Sequence, residues 1–393
     1  MMRRVPMAIV ALVALAAAAL LLLRPRAPRE VRATLSLADA MGTGDTIGWR
    51  RALEARPFTF PGDHGPHPEY RTEWWYFTGN VDTPDGRRFG FQLTFFRSGL
   101  TAAPARRTSA WAADQAYMAH FAVTDADGGR FFAYDRFARA AVGLAGARAE
   151  PFRVWLHDWE AVSTGDSTFP LELRARQDSL ELRLVLEAGK PIVRNGEAGL
   201  SRKGGSPGNA TYYYSLTRLP ARGTIAVGPA THRVEGEAWL DREWGTSALE
   251  PEQTGWDWFA LQLSDSTELM LYRLRRADGM PGEWGGGTFV DARGTATRLE
   301  ADDIAIEPLA EWQSPLDGAR YPAAWRVEVP AAALVLRVEP VLANQELNLA
   351  VRYWEGAVDA RGTRAGAPVA GRGYVELTGY AGEPLADRAR PPP

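Results

Sequence analysis

The sequence predicts an all-β protein: two tandem β-barrels behind an N-terminal hydrophobic segment. Three observations carry that expectation. From Pro57 to Tyr380, short apolar or alternating runs follow one another, separated by Gly, Pro, Asn and Asp, without long segments of 3.6-residue period. The 393 residues include 39 Gly, 27 Pro and 14 Trp, a composition of many turns and aromatic-lined strand surfaces. The body also repeats itself. Val234–Asp241 (VEGEAWLD) and Val369–Glu376 (VAGRGYVE) share Val, Gly, a small residue, an aromatic, an aliphatic and an acid in register. Trp74-Trp75-Tyr76-Phe77 and Trp256-Asp257-Trp258-Phe259 open the two halves alike.

The elements follow in order. Residues 1–29 read as a signal peptide or membrane anchor: a basic start, then an apolar run from Val5 to Leu23 ahead of Arg24 and Arg26. An uncleaved anchor is the favoured of the two, and either form sends the body out of the cytosol. The expected location is the periplasm, or the inner membrane with the body facing the periplasm. Residues 30–56 read as a linker with a short helix near Thr34–Met41. The first barrel domain is expected over 57–247 and the second over 248–384, with the boundary near Thr246–Glu252. Glu69–Arg97 reads as two strands joined by turn residues Thr83 to Gly86, and further strands are expected at Tyr117–Thr124, Arg130–Phe137, Leu180–Glu187, Leu269–Arg275 and Ala333–Glu339.

Composition bounds the chemistry. Net charge is -3 and no long basic run follows the N-terminal arm, which argues against a nucleic-acid partner. Without cysteine there is no disulfide, thiolate zinc site, cysteine nucleophile or lipid anchor on Cys. Gly204-Gly205-Ser206-Pro207-Gly208 matches the GxSxG string in form only. No apolar strand precedes it, and Pro207 has no N–H to lend an oxyanion hole. His64 and His67 flank a Gly-Pro loop without a third ligand at a metal-site spacing. Neither a metal nor an organic cofactor is expected.

The acids and aromatics are the candidates for a site. Strand alternation puts Asp241 and Glu243 on one face beside Trp239, with Arg242 on the other. Asp257 stands between Trp256 and Trp258. A carboxyl desolvated among indoles resists ionisation, and a protonated acid at neutral pH can protonate an alkene. Aromatic faces then stabilise the cation until water captures it. Glu73 opens a Trp strand near Arg71, and His120 lies inside the apolar run Tyr117–Val123, as either a hydrogen-bonded core residue or a barrel-lining acid/base group. The catalytic candidates are therefore Asp241, Asp257, Glu73 and His120. Ligand-binding candidates are Trp74, Trp75, Tyr213, Trp239, Trp256 and Trp258, with Lys203 and the Tyr212–Tyr214 run at a pocket mouth. Glu355 and Glu376 read as structural.

Long motifs in order, EWWYFTGN, YMAHFAVTD, KGGSPGNATYYYS, GEAWLDREWG, GWDWFALQL, YWEGAV and GRGYVELTGY, give the chain a resemblance to the AttH/CrtC family. That family contains carotenoid 1,2-hydratases and predicted secreted hydrolases. The resemblance spans about Pro57 to Tyr380 and implies two lipocalin-like barrels. It implies a hydro-lyase acting on a long apolar ligand, with Asp241 or Asp257 as the acid. The AttH side of the family implies the alternative, a non-enzymatic binding protein for a lipophilic small molecule that works with an ABC-transporter permease.

Overall fold

In the computed structural model the described residues are 35–36, 46–103, 108–246, 249–276 and 281–381. The N-terminal hydrophobic segment, expected as signal or anchor, lies outside them. Leu35–Ser36 is not helical, as the sequence suggested for its neighbourhood, but a short strand pairing in parallel with Val351 and Arg352. Residues 46–56 run along the body, with Ala52 buried and the Arg50 N–H donating to the Glu69 carbonyl.

Among the described residues two sheets make the fold, one of 13 strands and one of 11, antiparallel throughout except for the Leu35–Ser36 pairing, and the only helices are single 3-10 turns. The first curls into a nearly closed barrel and the second into a half-barrel, the two-domain lipocalin-like arrangement. The chain passes from one to the other between Gly245 and Gln253. The opening hairpin shows how local chemistry sets register. Thr72–Asp82 and Arg88–Gly99 pair without a break from Thr72↔Ser98 to Asp82↔Arg88. Gly86, at φ +89°, takes the left-handed conformation the turn requires, and its N–H returns to the Thr83 carbonyl.

The repeated strings occupy corresponding places. In the first sheet, Ala230–Gly245 lies between the opening strand Thr72–Asp82 and Ala210–Val227. In the second, Ala367–Leu377 lies between the opening strand Gln253–Leu263 and Val351–Arg364. Asp241 pairs with Tyr76 and Ser215; Glu376 pairs with Trp258 and Glu355. The sheets thus present Asp241 and Glu376 as equivalent residues.

Alternation sorts each strand into two faces. Trp75, Phe77, Phe91, Leu93, Phe121 and Trp159 fill the first barrel. Phe259, Leu261, Trp325, Val327 and Val358 form the core of the second sheet. Each such side chain contributes roughly 1.5–3 kcal/mol on leaving water. The other faces meet in a third layer of Tyr76, Tyr213, Trp239, Trp258, Met270 and Tyr374, flanked by half-buried Trp74 and Trp256. Polar ties lock the sheets together around it. Arg88 pairs with Asp359 at 2.6 Å, Gln262 donates to the carbonyls of Thr217 and Ala238, and Arg218 and Lys190 both reach Glu268. Of the aromatics in Glu69–Arg97, Trp75, Phe77, Phe89, Phe91 and Phe95 thus line the barrel interior, whereas the ligand-binding candidates Trp74, Tyr213, Trp239, Trp256 and Trp258 line the seam between the sheets.

Candidate active site

The seam holds four buried carboxyls and a single lysine drawn to them. Asp241 stands on Ala230–Gly245 and is 3% exposed. Tyr213 Oη donates to it at 2.5 Å, Ser215 Oγ at 2.6 Å and the Trp239 indole N–H at 2.6 Å. Burial pushes its pKa up to about 7; the three donors oppose the rise, and the charge of Glu243 adds to it. Glu243 accepts from Thr211 and pairs with Lys203 at 2.9 Å. Lys203 Nζ sits over the rings of Tyr272, at 4.3 Å, and Tyr213, at 5.4 Å.

From the second sheet come Glu355 and Glu376, directly opposite each other on adjacent strands. Glu376 accepts from the Trp256 indole N–H at 2.7 Å. Burial first, and then the charges of Asp241 and Glu243, raise its pKa to about 8 against that hydrogen bond. Burial, and then the proximity of Glu376, also hold Glu355 well above the usual carboxylate range, although Tyr76 and Tyr353 hydrogen-bond to it. Gln92 Nε2 donates to Glu355 at 2.6 Å and to Tyr353 Oη at 2.9 Å. His120 Nδ1 and Tyr353 Oη lie 2.8 Å apart, and burial lowers the imidazole pKa to about 3, so this histidine is neutral. Its Nε2 is buried without a hydrogen-bond partner among the described residues. A cavity of about 240 Å³ adjoins the seam through Met270 and Tyr272 and extends to Trp284, Arg298 and Glu300.

Asp241, His120, Tyr213, Trp239, Trp258, Trp74 and Trp256 are thus brought into one layer. Asp257, Glu73 and Trp75 are not. Asp257 follows Trp256 by one residue, so it projects from the opposite face. There Arg273 and Arg275 bind its two oxygens at 2.8 and 3.1 Å and Tyr380 Oη donates at 2.8 Å. It is an ion-pair anchor inside the second sheet, not an acid among indoles. Glu73 lies on the first barrel's inner side, in contact with Arg97 and with Arg242 at 3.1 Å. Burial works to raise its pKa, but Arg97, His67 and Arg242 outweigh burial and hold it below the usual range. Trp75 packs under Arg242, 4.0 Å from ring centre to guanidinium carbon, with its N–H on the His64 carbonyl. His67 bridges Asp63 and Glu73 and stacks on Trp244 at 3.9 Å. Among the described residues no three His, Asp or Glu side chains are grouped to hold a metal ion.

Glu355 and Glu376 were read from sequence as structural, yet both face the seam. A signal for Glu376 was available: it aligns with Asp241 in the repeated string.

Fold and seam together define a class: a double-sheet lipocalin-like protein with a buried acid-and-aromatic layer between its halves. The chain belongs to the AttH-like family, whose model matches residues 51–380. It is similar to an AttH protein of Nitrosomonas europaea of known structure, at 35% identity and TM-score 0.76, covering 84% of this chain and 99% of that one. It is also similar to kievitone hydratase of Fusarium solani subsp. phaseoli, 24% identical over 233 residues, 54% of this chain and 61% of the relative. The structure of a kievitone hydratase from Nectria haematococca shares the fold, at TM-score 0.62 and 15% identity, over 85% of this chain and 98% of that one. Dehydratase asqC of Emericella nidulans is 25% identical over 210 residues, 48% of this chain and 55% of the relative. The matched stretches span less than two thirds of either curated relative.

Proposed function

We propose that the seam is the active site of a hydro-lyase, which adds water to, or removes it from, a carbon–carbon bond of an apolar small molecule, with Asp241 as a proton-transferring residue. The observation that carries this reading is Asp241 itself: buried, poised near pH 7 and surrounded by aromatic rings. Kinship with a named hydratase and a named dehydratase supports the reaction class, since adding and removing water are the two directions of one type of reaction. Tyr76, Trp239 and Trp258 offer ring faces to a cationic intermediate. Half-buried Trp74 and Trp256 offer apolar surface to the rest of the ligand. The apolar Val5–Leu23 run supports placing the reaction in the periplasm, on a membrane-tethered or released body.

The test is incubation with a panel of acyclic isoprenoid alkenes and their tertiary alcohols in ¹⁸O-labelled water. Label in an alcohol product, or loss of water from an alcohol, is the expected result. Saturable quenching of Trp fluorescence without turnover over the whole panel would instead favour a lipophile carrier that serves a membrane permease.

A further inference from the structure

We infer that the site works with two acids of different duty, one from each sheet: in the direction of hydration Glu376 gives a proton to the substrate carbon and Asp241 takes one from water. This rests on the hydro-lyase reading and names a second reacting residue.

The geometry is a closed circuit of neighbours across the seam. Asp241 pairs in register with Tyr76, and Tyr76 Oη donates to Glu355. Glu355 pairs in register with Glu376, and Glu376 with Trp258. The Trp258 indole N–H donates to Tyr213 Oη at 3.1 Å, and Tyr213 donates back to Asp241. Directly opposed residues in an antiparallel pair have Cβ atoms about 5 Å apart, so each register step is a short one. Tyr76 and Trp258 stand edge to face at 5.0 Å within this circuit. Asp241 and Glu376 occupy equivalent positions of the two repeats, and Asp241 is near enough for its charge to act on Glu376 from the other sheet.

Their surroundings assign the duties. Asp241 accepts three hydrogen bonds, an environment that supports a carboxylate. Glu376 receives one N–H and shares its strand neighbourhood with Glu355, so the pair resists double ionisation and retains a proton. Glu376 is faced by Glu355 from Val351–Arg364, by Trp256 and Trp258 from Gln253–Leu263, and by Asp241 and Glu243 from Ala230–Gly245. Asp241 is faced by Tyr213, Ser215, Trp239 and Glu243, with Lys203 committed to Glu243.

The step balances without a further reactant. The alkene π pair forms a C–H bond with the Glu376 proton, leaving a tertiary cation and the Glu376 carboxylate. Water oxygen forms the C–O bond, and its released proton passes to the Asp241 carboxylate. After the alcohol leaves, solvent returns one proton from Asp241 to Glu376. Dehydration runs the same path backwards, with Asp241 protonating the departing hydroxyl.

The test uses the full chain and Glu376→Gln, Glu355→Gln and Asp241→Asn. In infrared spectra the wild type should show a protonated-carboxyl band that fades as pH rises through about 8. Glu376→Gln should lose that component, and Glu355→Gln should keep it with its fading moved to lower pH, the neighbouring carboxyl being gone. With a turned-over alkene, Glu376→Gln and Asp241→Asn should each lose about a hundred- to ten-thousand-fold in rate. Glu376→Gln should also abolish the alkaline limb of the pH–rate profile, and Asp241→Asn the acid limb. A Glu376→Gln protein that keeps its band, or keeps wild-type turnover and alkaline limb, overturns the division of duty while leaving the hydro-lyase reading standing. A wild type inert toward every alkene and alcohol overturns both. Glu376→Asp, which restores a carboxyl, should recover part of the rate if the loss is chemical; equal loss in Glu376→Asp and Glu376→Gln with an unaltered pH profile would mark a structural role.

Discussion

Two buried acid clusters lie on opposite faces of the Ala230–Gly245 strand, and they have opposite electrostatics. On the barrel side, Glu73 meets Arg97 and Arg242. On the seam side, Asp241 meets two hydroxyls and an indole, and Glu376 an indole alone. Arg242 and Asp241 are chain neighbours, so a single peptide step separates a site of fixed charge from a site of movable protons. Burial alone decides neither case, because all these groups are withdrawn from water. Partners decide: guanidiniums fix the carboxylate, and uncharged donors leave it within reach of its proton.

The largest expected effect tests the seam. Asp241→Asn should lower turnover by about a hundred- to ten-thousand-fold while ligand affinity, read by Trp fluorescence, stays within severalfold. Retained turnover would erase the contrast between the clusters. Next comes the barrel side. Glu73→Gln should destabilise the fold by about 3–5 kcal/mol in denaturant titration, because Arg97 and Arg242 would be left buried without their anion. A near-neutral result would show that water reaches the guanidiniums.

pH separates the clusters by sign. Asp241 is raised on folding, so its favourable contribution is complete below its unfolded value near 4 and is lost as pH rises to about 7. For Glu376 the same loss runs from about 4.5 to about 8. Glu73 is lowered, so its contribution is present above about 4.5 and is lost as pH falls below that. Relative to wild type, Asp241→Asn should therefore gain stability as pH rises from about 4 to about 7, and the stability deficit of Glu73→Gln should be constant above about pH 4.5 and shrink as pH falls below it. Thermal midpoints across pH check both slopes, and parallel slopes would refute the contrast. The smallest effect is the finest probe. Trp256→Phe keeps the ring but removes the N–H that favours the Glu376 carboxylate. The alkaline limb of turnover should move up by about one pH unit, a hydrogen bond to a charged group being worth roughly 1.5–3 kcal/mol at most.

Much of this was legible in the sequence, because period-two alternation is a rule about faces. It placed Asp241 and Glu243 together with Trp239 and away from Arg242, and it made the repeated strings corresponding strands. The same rule, carried one residue further at Trp256-Asp257-Trp258, puts Asp257 on the face opposite its indole neighbours, where Arg273 and Arg275 hold it. Adjacency along the chain had stood in for adjacency in space. Glu73 was a comparable case: its arginines come from Arg97 and Arg242, distant in sequence, and no local pattern announces them. The sequence left the aromatic-lined cavity open between two places, within a barrel or between the two. Alternation states that a strand has two buried faces, but not whether the second is covered by its own barrel or by a neighbouring sheet.

The equivalence of Asp241 and Glu376 bears on what a tandem chain can do that a pair of identical subunits cannot. Two copies of one subunit meeting about a twofold axis would bring two copies of the same carboxyl to the centre, with identical surroundings and identical affinity for protons. Joining the halves covalently releases each to mutate alone. Here one carboxyl has kept a short side chain and three donors, and the other has a longer side chain, one donor and an acidic neighbour. The symmetry has been broken where the two halves meet, so that the two carboxyls differ in their affinity for protons.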